Sequence, residues 1–235
     1  MLKIHNQRIL LVVAHPDDEL LGVGSTMHRL IHQEHCIVKV VILGEGITSR
    51  GDKRDTSQWD KELTTHRENI EDAKQHIGFH QIISYSFPDN RFDTIALLDI
   101  IKVIEREKQE FKPDVIFTHH GGDVNIDHQR TFEAVITACR PMKGETVKTI
   151  ITFETMSGTE WRASSDPRHF LPNFIVEISK TNLKAKIAAM EEYEFERRAY
   201  PHPRSPEALE IRAKMWGIAN GLNLAEAFQI VRTIS

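Results

Sequence analysis

Cysteine is scarce in this sequence, and that scarcity excludes one broad class of protein. The chain has 235 residues but only two cysteines, Cys36 and Cys139, and both lie in apolar surroundings. Secreted domains that depend on disulfides carry many more cysteines, so a disulfide framework is excluded. We therefore expect two buried thiols in a protein of a reducing compartment.

Long apolar runs and an excess of basic residues are also lacking. No run approaches the ~20 apolar residues that a membrane-spanning helix needs, and the start of the chain has no signal-peptide core. The formal net charge is -4, so the chain offers no basic field to nucleic acid. These absences predict a cytoplasmic protein with a small-molecule partner, and they leave a homo-oligomer open.

Short apolar runs alternate with helical patterns, which predicts a single α/β domain over residues 1–235. We predict strands at residues 9–14, 36–43, 81–87, 113–118, 148–154 and 173–178. We predict helices at residues 19–33, 61–78, 97–109, 129–139, 182–198, 206–220 and 225–234. Right-handed crossovers then give a Rossmann-like, doubly wound, mostly parallel sheet flanked by helices. Residues 1–140 would hold a metal-binding core, and residues 141–235 would carry substrate loops.

The polar segment 47–60 is too long for a simple turn. It is predicted to be a mobile lid or a binding loop, and a solvated loop is an equal alternative.

A dense polar motif follows the first predicted strand. His15-Pro-Asp-Asp-Glu19 comes directly after the apolar run that ends at Ala14, and ligands of open α/β sheets bind at the carboxyl ends of strands. Zinc takes imidazole and carboxylate ligands, and a catalytic site uses three from the protein. His15 and Asp18 can both face one ion, which leaves Asp17 to take a proton from metal-bound water. The alternative is that Asp17 or Asp18 caps the helix that follows.

A second polar loop, residues 119–128, follows the strand predicted at 113–118. If the two strands are neighbours, both loops open onto one crevice. His128 would then supply the third metal ligand. Asp127 would hydrogen-bond a ring nitrogen and fix its tautomer.

These two motifs resemble those of the PIG-L/LmbE family of zinc-dependent de-N-acetylases, from residue 8 to about 132 and more loosely beyond. The resemblance implies that His15, Asp18 and His128 bind one zinc ion per chain, other divalent transition metals being possible, and that Asp17 is the general base. Many members have a histidine where this chain has Asn125. An amide can donate a hydrogen bond to an oxyanion, but it cannot supply a proton.

Two later segments, residues 153–161 and 201–205, resemble a bacterial subgroup that acts on sugars of surface polysaccharides. His202 is predicted as the missing donor, and Arg204 as the partner of a substrate carboxylate or phosphate. A rigid connector between helices is the alternative for 201–205. The other residues predicted to bind substrate are Arg67, Asp123, Glu160 and Trp161. For Arg67 the alternative is a surface salt bridge with Glu71.

The sequence thus predicts a zinc-dependent hydrolase that removes an N-acetyl group from an amino sugar or a sugar conjugate, nucleotide-linked and nonulosonic sugars included. One alternative is a magnesium-binding, receiver-like domain, which needs a phosphorylatable aspartate after its third strand, where Asp89 stands behind a proline. The other is a metal hydrolase that cuts a different small-molecule amide.

Overall fold

Seven strands form one mixed sheet in the computed structural model, which describes residues 3–234; positions 1, 2 and 235 of the predicted domain lie outside the described residues. In chain order the strands are β1 (Arg8–Val13), β2 (Ile37–Gly44), β3 (Gln81–Phe87), β4 (Val115–His119), β5 (Thr149–Phe153), β6 (Phe174–Glu177) and β7 (Ala225–Thr233). Across the sheet their order is β3-β2-β1-β4-β5-β7-β6. The first five pair in parallel, whereas β7 is antiparallel to both β5 and β6.

Helices cover both faces of this sheet. They are α1 (Asp18–Leu21), α2 (Gly24–His32), α3 (Asp60–Ile77), α4 (Leu97–Phe111), α5 (Ile126–Ala138), α6 (Lys180–Glu192) and α7 (Pro206–Ala219). Among residues 3–234, no helix is both long and apolar enough to cross a bilayer.

The central strand β1 is buried on both sides, as its unbroken apolar run predicts. Leu10 and Val12 join an apolar cluster with α4 and α5 on one face. Ile9, Leu11 and Val13 join a larger cluster with α2, α3 and α6 on the other. The predicted α/β sheet of mostly parallel strands is confirmed, and both cysteines are buried free thiols.

The prediction for residues 225–234 is wrong, because this segment is strand β7 and not a helix. Its first four residues, Ala225 to Phe228, are all buried, so polar and apolar residues do not alternate between an inner and an outer face. Glu226 also interrupts the apolar pattern that is expected of a buried strand. Its carboxylate pairs in the interior with Lys186, 2.8 Å away, and accepts hydrogen bonds from the first backbone N–H groups of α2.

Two predicted helices are shorter than expected. The helix predicted at 19–33 breaks at Gly22 and Val23, between α1 and α2. The helix predicted at 182–198 ends at Glu192, because Tyr193 leaves the helical conformation and turns its ring into the core. Segment 47–60 contains two short 3-10 turns joined by irregular chain.

Gly22 determines how closely the first motif approaches β5. A Cβ atom at this position would lie 1.9 Å from the carbonyl oxygen of Glu154 and 2.6 Å from the ring of Phe153. Both of these residues are buried and cannot move aside, so only glycine allows the backbone at position 22 to lie this close to them.

We expect Gly22→Ala to destabilise the fold by about 1–3 kcal/mol, because backbone must move to admit the methyl group. Gly51→Ala is the matched control, since the nearest atom to a Cβ there is 3.4 Å away and its φ of -96° suits alanine. Denaturant unfolding of both variants measures the difference. Equal free energies of unfolding for the two variants would show that the backbone after β5 shifts at little cost to admit the methyl group.

Candidate functional site

The two polar motifs meet because β1 and β4 are adjacent parallel strands, in register from Ile9 opposite Val115. The loop after β1 and the loop after β4 therefore open at the same edge of the sheet. There His15, Asp18 and His128 each bring one metal-binding atom to within 4.8 Å of the others. The Oδ2 atom of Asp18 lies 3.4 Å from Nδ1 of His15 and 3.3 Å from Nε2 of His128.

These separations fit a tetrahedral zinc ion. Two ligand atoms that each lie about 2.0–2.1 Å from a tetrahedral ion are separated by ~3.3 Å. Three protein ligands of the types His, Asp and His also leave one position for water. The donor set is therefore suited to a catalytic zinc ion in both its chemistry and its spacing.

A second carboxylate stands behind each histidine. Nε2 of His15 lies 2.8 Å from Oδ2 of Asp127. That Oδ2 also accepts the backbone N–H of residue 90, and Oδ1 of Asp127 accepts that of residue 92. Nδ1 of His128 lies 3.2 Å from Oδ2 of Asp123. In each case the carboxylate faces the nitrogen that points away from Asp18, which is the arrangement that orients metal-binding histidines.

Asp123 is predicted from the sequence to bind substrate, and its position indicates another role. It is fully buried behind His128, and its carboxylate also accepts bonds from the Thr159 hydroxyl at 2.6 Å and from the backbone of Asn125 at 2.8 Å. With every side of the carboxylate occupied by the protein, we assign Asp123 to positioning His128.

The electrostatics of the cluster favour a cation. Burial lowers the pKa of His128, but the carboxylates of Asp18 and Asp123 outweigh it and raise this pKa to about 9. Burial would raise the pKa of Asp18, yet the neighbouring imidazoles of His128 and His119 hold it well below its usual range. Positive charge is stabilised between these groups, whether protons or a metal ion supply it.

Sequence reasoning missed His119, the last residue of β4. Its ring stacks on His128 with centroids 3.9 Å apart, and its Nε2 lies 3.4 Å from Oδ2 of Asp18. However, that nitrogen accepts the backbone N–H of Ala14 at 2.9 Å, so its lone pair is occupied. His119 therefore ties β4 to β1 below the metal ligands and is not a fourth ligand. Its place at the end of a strand was the available signal.

Asp17 does not cap a helix, although it occupies the N-cap position of α1. Within residues 3–234 its side chain makes no capping hydrogen bond, and its φ of 96° places it in the left-handed region. N-cap residues normally have an extended backbone. Burial raises the pKa of Asp17 well above its usual value, with the charge of Arg204 opposing that shift. A buried carboxyl of raised pKa is suited to proton transfer.

Arg204 reaches this carboxylate from the segment before α7. Its guanidinium lies 2.9 Å from Oδ2 of Asp17 and 2.6 Å from Oε2 of Glu196, and it donates to the Ser157 hydroxyl at 2.8 Å. Glu196 also binds Arg50 at 2.6 Å, which joins segment 47–60 to the site. Two carboxylates of the protein thus share the charge of Arg204, and its role in binding a substrate anion stays a prediction.

The two predicted hydrogen-bond donors occupy different places. Asn125 lines a cavity of about 110 Å³ next to His15, Asp17 and His128, which we call the site cavity. Its side-chain oxygen caps α5, and one amide hydrogen goes to Asn90 at 3.0 Å, which leaves one hydrogen for another acceptor. His202 lies outside the cavity lining, with its ring centroid 6.4 Å from that of Trp161.

Arg67 lies on the exposed surface of α3, away from the cavity lining. Its guanidinium donates to the Thr64 hydroxyl at 2.9 Å, and the alternative partner Glu71 instead binds Lys74. The residue of this helix that does line the cavity is its neighbour, His66. The predicted salt bridge with Glu71 is not present among the described residues. The predicted substrate contact stays a prediction, and Arg67 lines a neighbouring cavity on the other side of His66.

His66 stands between the site cavity and a second cavity of about 620 Å³. It is 2% exposed, and neither ring nitrogen has a hydrogen-bond partner within residues 3–234. Burial, aided by the charge of Arg50, lowers its pKa to about 4. A neutral imidazole here can donate one hydrogen bond and accept another. Nothing in the pattern around His66 distinguishes it from the other histidines, of which the chain has thirteen in all.

Glu160 and Trp161 lie on the loop after β5. The carboxylate of Glu160 accepts the backbone N–H groups of Ser157 and Gly158, at 2.6 and 3.2 Å, and so shapes the loop that carries the Arg204 contact. Trp161 is 57% exposed at the outer rim. Glu160 is half-buried, so Trp161 has the larger exposed surface to offer a ligand.

Comparison with known proteins agrees with this geometry. Residues 10–139 match the family described as PIG-L, GlcNAc-PI de-N-acetylase. Over 200 residues, 82% of this chain and 95% of its relative, the chain is 28% identical to the uncharacterized deacetylase YaiS of Escherichia coli K12.

Two solved structures share the fold. The N,N'-diacetylchitobiose deacetylase of Pyrococcus horikoshii has a TM-score of 0.70 at 17% identity, over 96% of this chain and 84% of that one. A 4-carboxy-2-hydroxymuconate hydratase of Pseudomonas putida KT2440 has a TM-score of 0.73 at 17% identity, over 97% and 98%. At such identities the structures establish a common fold alone, whereas the family match covers both motifs. This chain belongs to the PIG-L family of deacetylases.

Proposed function

We propose that the protein is a zinc-dependent hydrolase that removes the acetyl group from an N-acetylated amino sugar or sugar conjugate. The observation that carries the proposal is the position of Asp17, a buried carboxylate next to three convergent ligands whose spacing fits zinc. The family and the deacetylase relatives support the same reaction class.

His15, Asp18 and His128 would hold the ion. Bound there, zinc would lower the pKa of a water molecule and polarise the acetyl carbonyl group. Asp17 removes the proton from the attacking water, and its raised pKa makes the carboxylate a stronger base than an ordinary aspartate. The same carboxyl then returns that proton to the nitrogen of the leaving amine. Arg204 holds the carboxylate in place through this exchange.

The developing oxyanion needs a hydrogen-bond donor from the protein. Asn125 is our choice, because it lines the cavity and keeps one amide hydrogen free of the partners described above. The amide has no proton to give up, so the amine depends on Asp17. His202 remains a predicted second donor, which would have to approach from the rim beside Trp161.

The receiver-like alternative receives no support from the site. Asp89, the residue it would phosphorylate, is 5% exposed, and its carboxylate accepts bonds from Ser49 and Asn90. A buried carboxylate with these partners is a poor phosphoryl acceptor. A hydrolase of another amide uses the same residues, and a substrate panel separates the two cases.

The decisive experiment combines metal analysis with acetate release from free and nucleotide-linked N-acetylated sugars. We expect about one zinc per chain and release from at least one sugar. Asp17→Asn should keep the metal and lower kcat by about 10²–10⁴, because it removes only the proton acceptor. If the protein binds zinc but releases acetate only from amides that are not sugars, the proposed sugar substrate is wrong and the proposed hydrolase stands. Wild-type turnover by Asp17→Asn would remove Asp17 from the mechanism.

Asp123→Asn should weaken zinc affinity by about 10- to 100-fold. An amide that turns its NH₂ toward Nδ1 of His128 forces the proton onto Nε2, the nitrogen that faces Asp18. Asp72→Asn on the exposed side of α3 is the control. Competition with a chelator measures the affinity, and equal affinity in both variants would contradict the positioning role.

Arg204→Met should move the acidic limb of the activity profile to higher pH. The active base is the charged carboxylate, and Arg204 stabilises that charge, so its removal raises the pKa of Asp17 further above the usual value. Activity is then lost earlier as pH falls. Arg198→Met, an exposed neighbour in the same segment, serves as the control. The measurement is kcat/KM as a function of pH. If the acidic limb stays in place or moves to lower pH, Arg204 does not lower the pKa of Asp17.

A further inference from the structure

The backbone of Asp17 lies in a conformation that an aspartate rarely adopts. Its φ is 96° and its ψ is -26°. Residues held in the left-handed region cost free energy and persist only when the surrounding structure enforces them. In an ordinary N-cap conformation, the carboxylate of Asp17 would turn back to the N–H groups of α1. The chain must therefore contain something that holds this peptide in place.

The carboxylate of Glu19 makes that contact. Its Oε2 accepts the backbone N–H of Asp17 at 3.0 Å, two residues before it in the chain. Glu19 is fully buried, and the residues 3–234 offer it no basic side chain within ion-pair distance. Among these residues, hydrogen bonds to both of its oxygens, and no cation, hold this carboxyl group.

Tyr193 fixes the other oxygen of Glu19. The phenol donates to Oε1 at 2.5 Å, and its ring is fully buried at the point where α6 ends. The mechanism above uses neither residue. The hydrogen bonds nevertheless run in one line, from the end of α6 through Glu19 to the peptide of Asp17.

We propose that Glu19 and Tyr193 are positioning residues for the general base. Tyr193 orients the Glu19 carboxylate, and that carboxylate holds the Asp17 peptide so that the Asp17 side chain faces Arg204 and the metal ligands instead of capping α1. The inference rests on the proposed function, because it assigns a purpose to Asp17 as base.

The chain contains its own control. Tyr85 donates to the carboxylate of Glu107, so it is also a tyrosine bonded to a buried glutamate. That glutamate pairs with Lys39 at 2.7 Å, and neither Tyr85 nor Glu107 lines the site cavity. Phenylalanine at either position removes one hydroxyl group and keeps the ring.

We expect Tyr193→Phe to lower kcat by at least about tenfold, since small errors of placement at a reacting group are costly. KM and zinc content should stay at their wild-type values. Tyr85→Phe should keep the wild-type kcat. A wild-type kcat in Tyr193→Phe would overturn the proposal, and so would a loss confined to KM or to zinc content.

Glu19 provides a second test that does not depend on Tyr193. Glu19→Gln and Glu19→Met both remove the charge, but only the glutamine can still accept the N–H of Asp17. We expect Glu19→Gln to retain a higher kcat than Glu19→Met at equal zinc content. Equal kcat values would show that the hydrogen bond has no positioning role.

A readout free of substrate separates this inference from the proposed function. Hydrogen exchange at the Asp17 amide should be faster in Tyr193→Phe than in the wild type, and unchanged in Tyr85→Phe. If the wild type releases no acetate from any compound but exchange responds in this way, the function is wrong and the positioning stands. Unchanged exchange in Tyr193→Phe, with acetate release intact, would overturn the positioning alone.

Discussion

The contact of one carboxylate with two imidazoles, at the edge where β1 and β4 end, is the constraint on which the site depends. Asp18 can face both His15 and His128 only because the two strands are parallel neighbours and both loops begin at the same level. Each histidine is then aligned from behind by its own carboxylate, Asp127 or Asp123. The cluster concentrates negative charge in the interior, and such a cluster is stable only with a cation among its members. The buried strands supply the rigidity that keeps the three ligands at metal-binding distances.

The metal cluster was predictable because its signals are local. A buried strand followed by His-Pro-Asp-Asp-Glu fixes which residues leave the sheet edge, and a second strand with a polar loop supplies the third ligand. The sequence does not reveal which polar side chains form ion pairs or hydrogen bonds with residues that are distant in the chain. Arg204 looked available for an anion, yet it is 187 positions from the Asp17 it pairs with. Nor does the sequence show that Asp123 is buried behind His128 or that Arg67 lies on the exposed surface of α3, since a polar residue near a site can face the cavity, the interior or solvent with no local difference.

The strand β7 shows the same difficulty at the level of the fold. Polar residues in a buried strand normally break its apolar pattern, and Glu226 did so here. In the folded chain this carboxylate is satisfied by Lys186 and by the first N–H groups of α2, so its burial is stable. The local pattern of this segment predicts a helix, but the ion pair between α6 and β7 allows it to be a buried strand. Propensity and periodicity describe one segment at a time, whereas a charged residue can be buried only if a partner from another segment compensates it.

The distribution of roles along the chain follows from these contacts. The family match ends at residue 139, and it contains His15, Asp18 and His128, the proposed metal ligands, together with Asp17, the proposed base. The side chains that hold Asp17 from the far side, Arg204 directly and Tyr193 through Glu19, come from beyond that boundary. The same is true of Ser157, Glu196 and Trp161, which form the outer part of the site. In the proposed mechanism the metal ligands and the base therefore come from the matched segment 10–139, whereas the contacts that orient the base and form the outer part of the site come from residues after 139. Under this proposal, substitutions after residue 139 can alter substrate preference without disturbing the metal ligands.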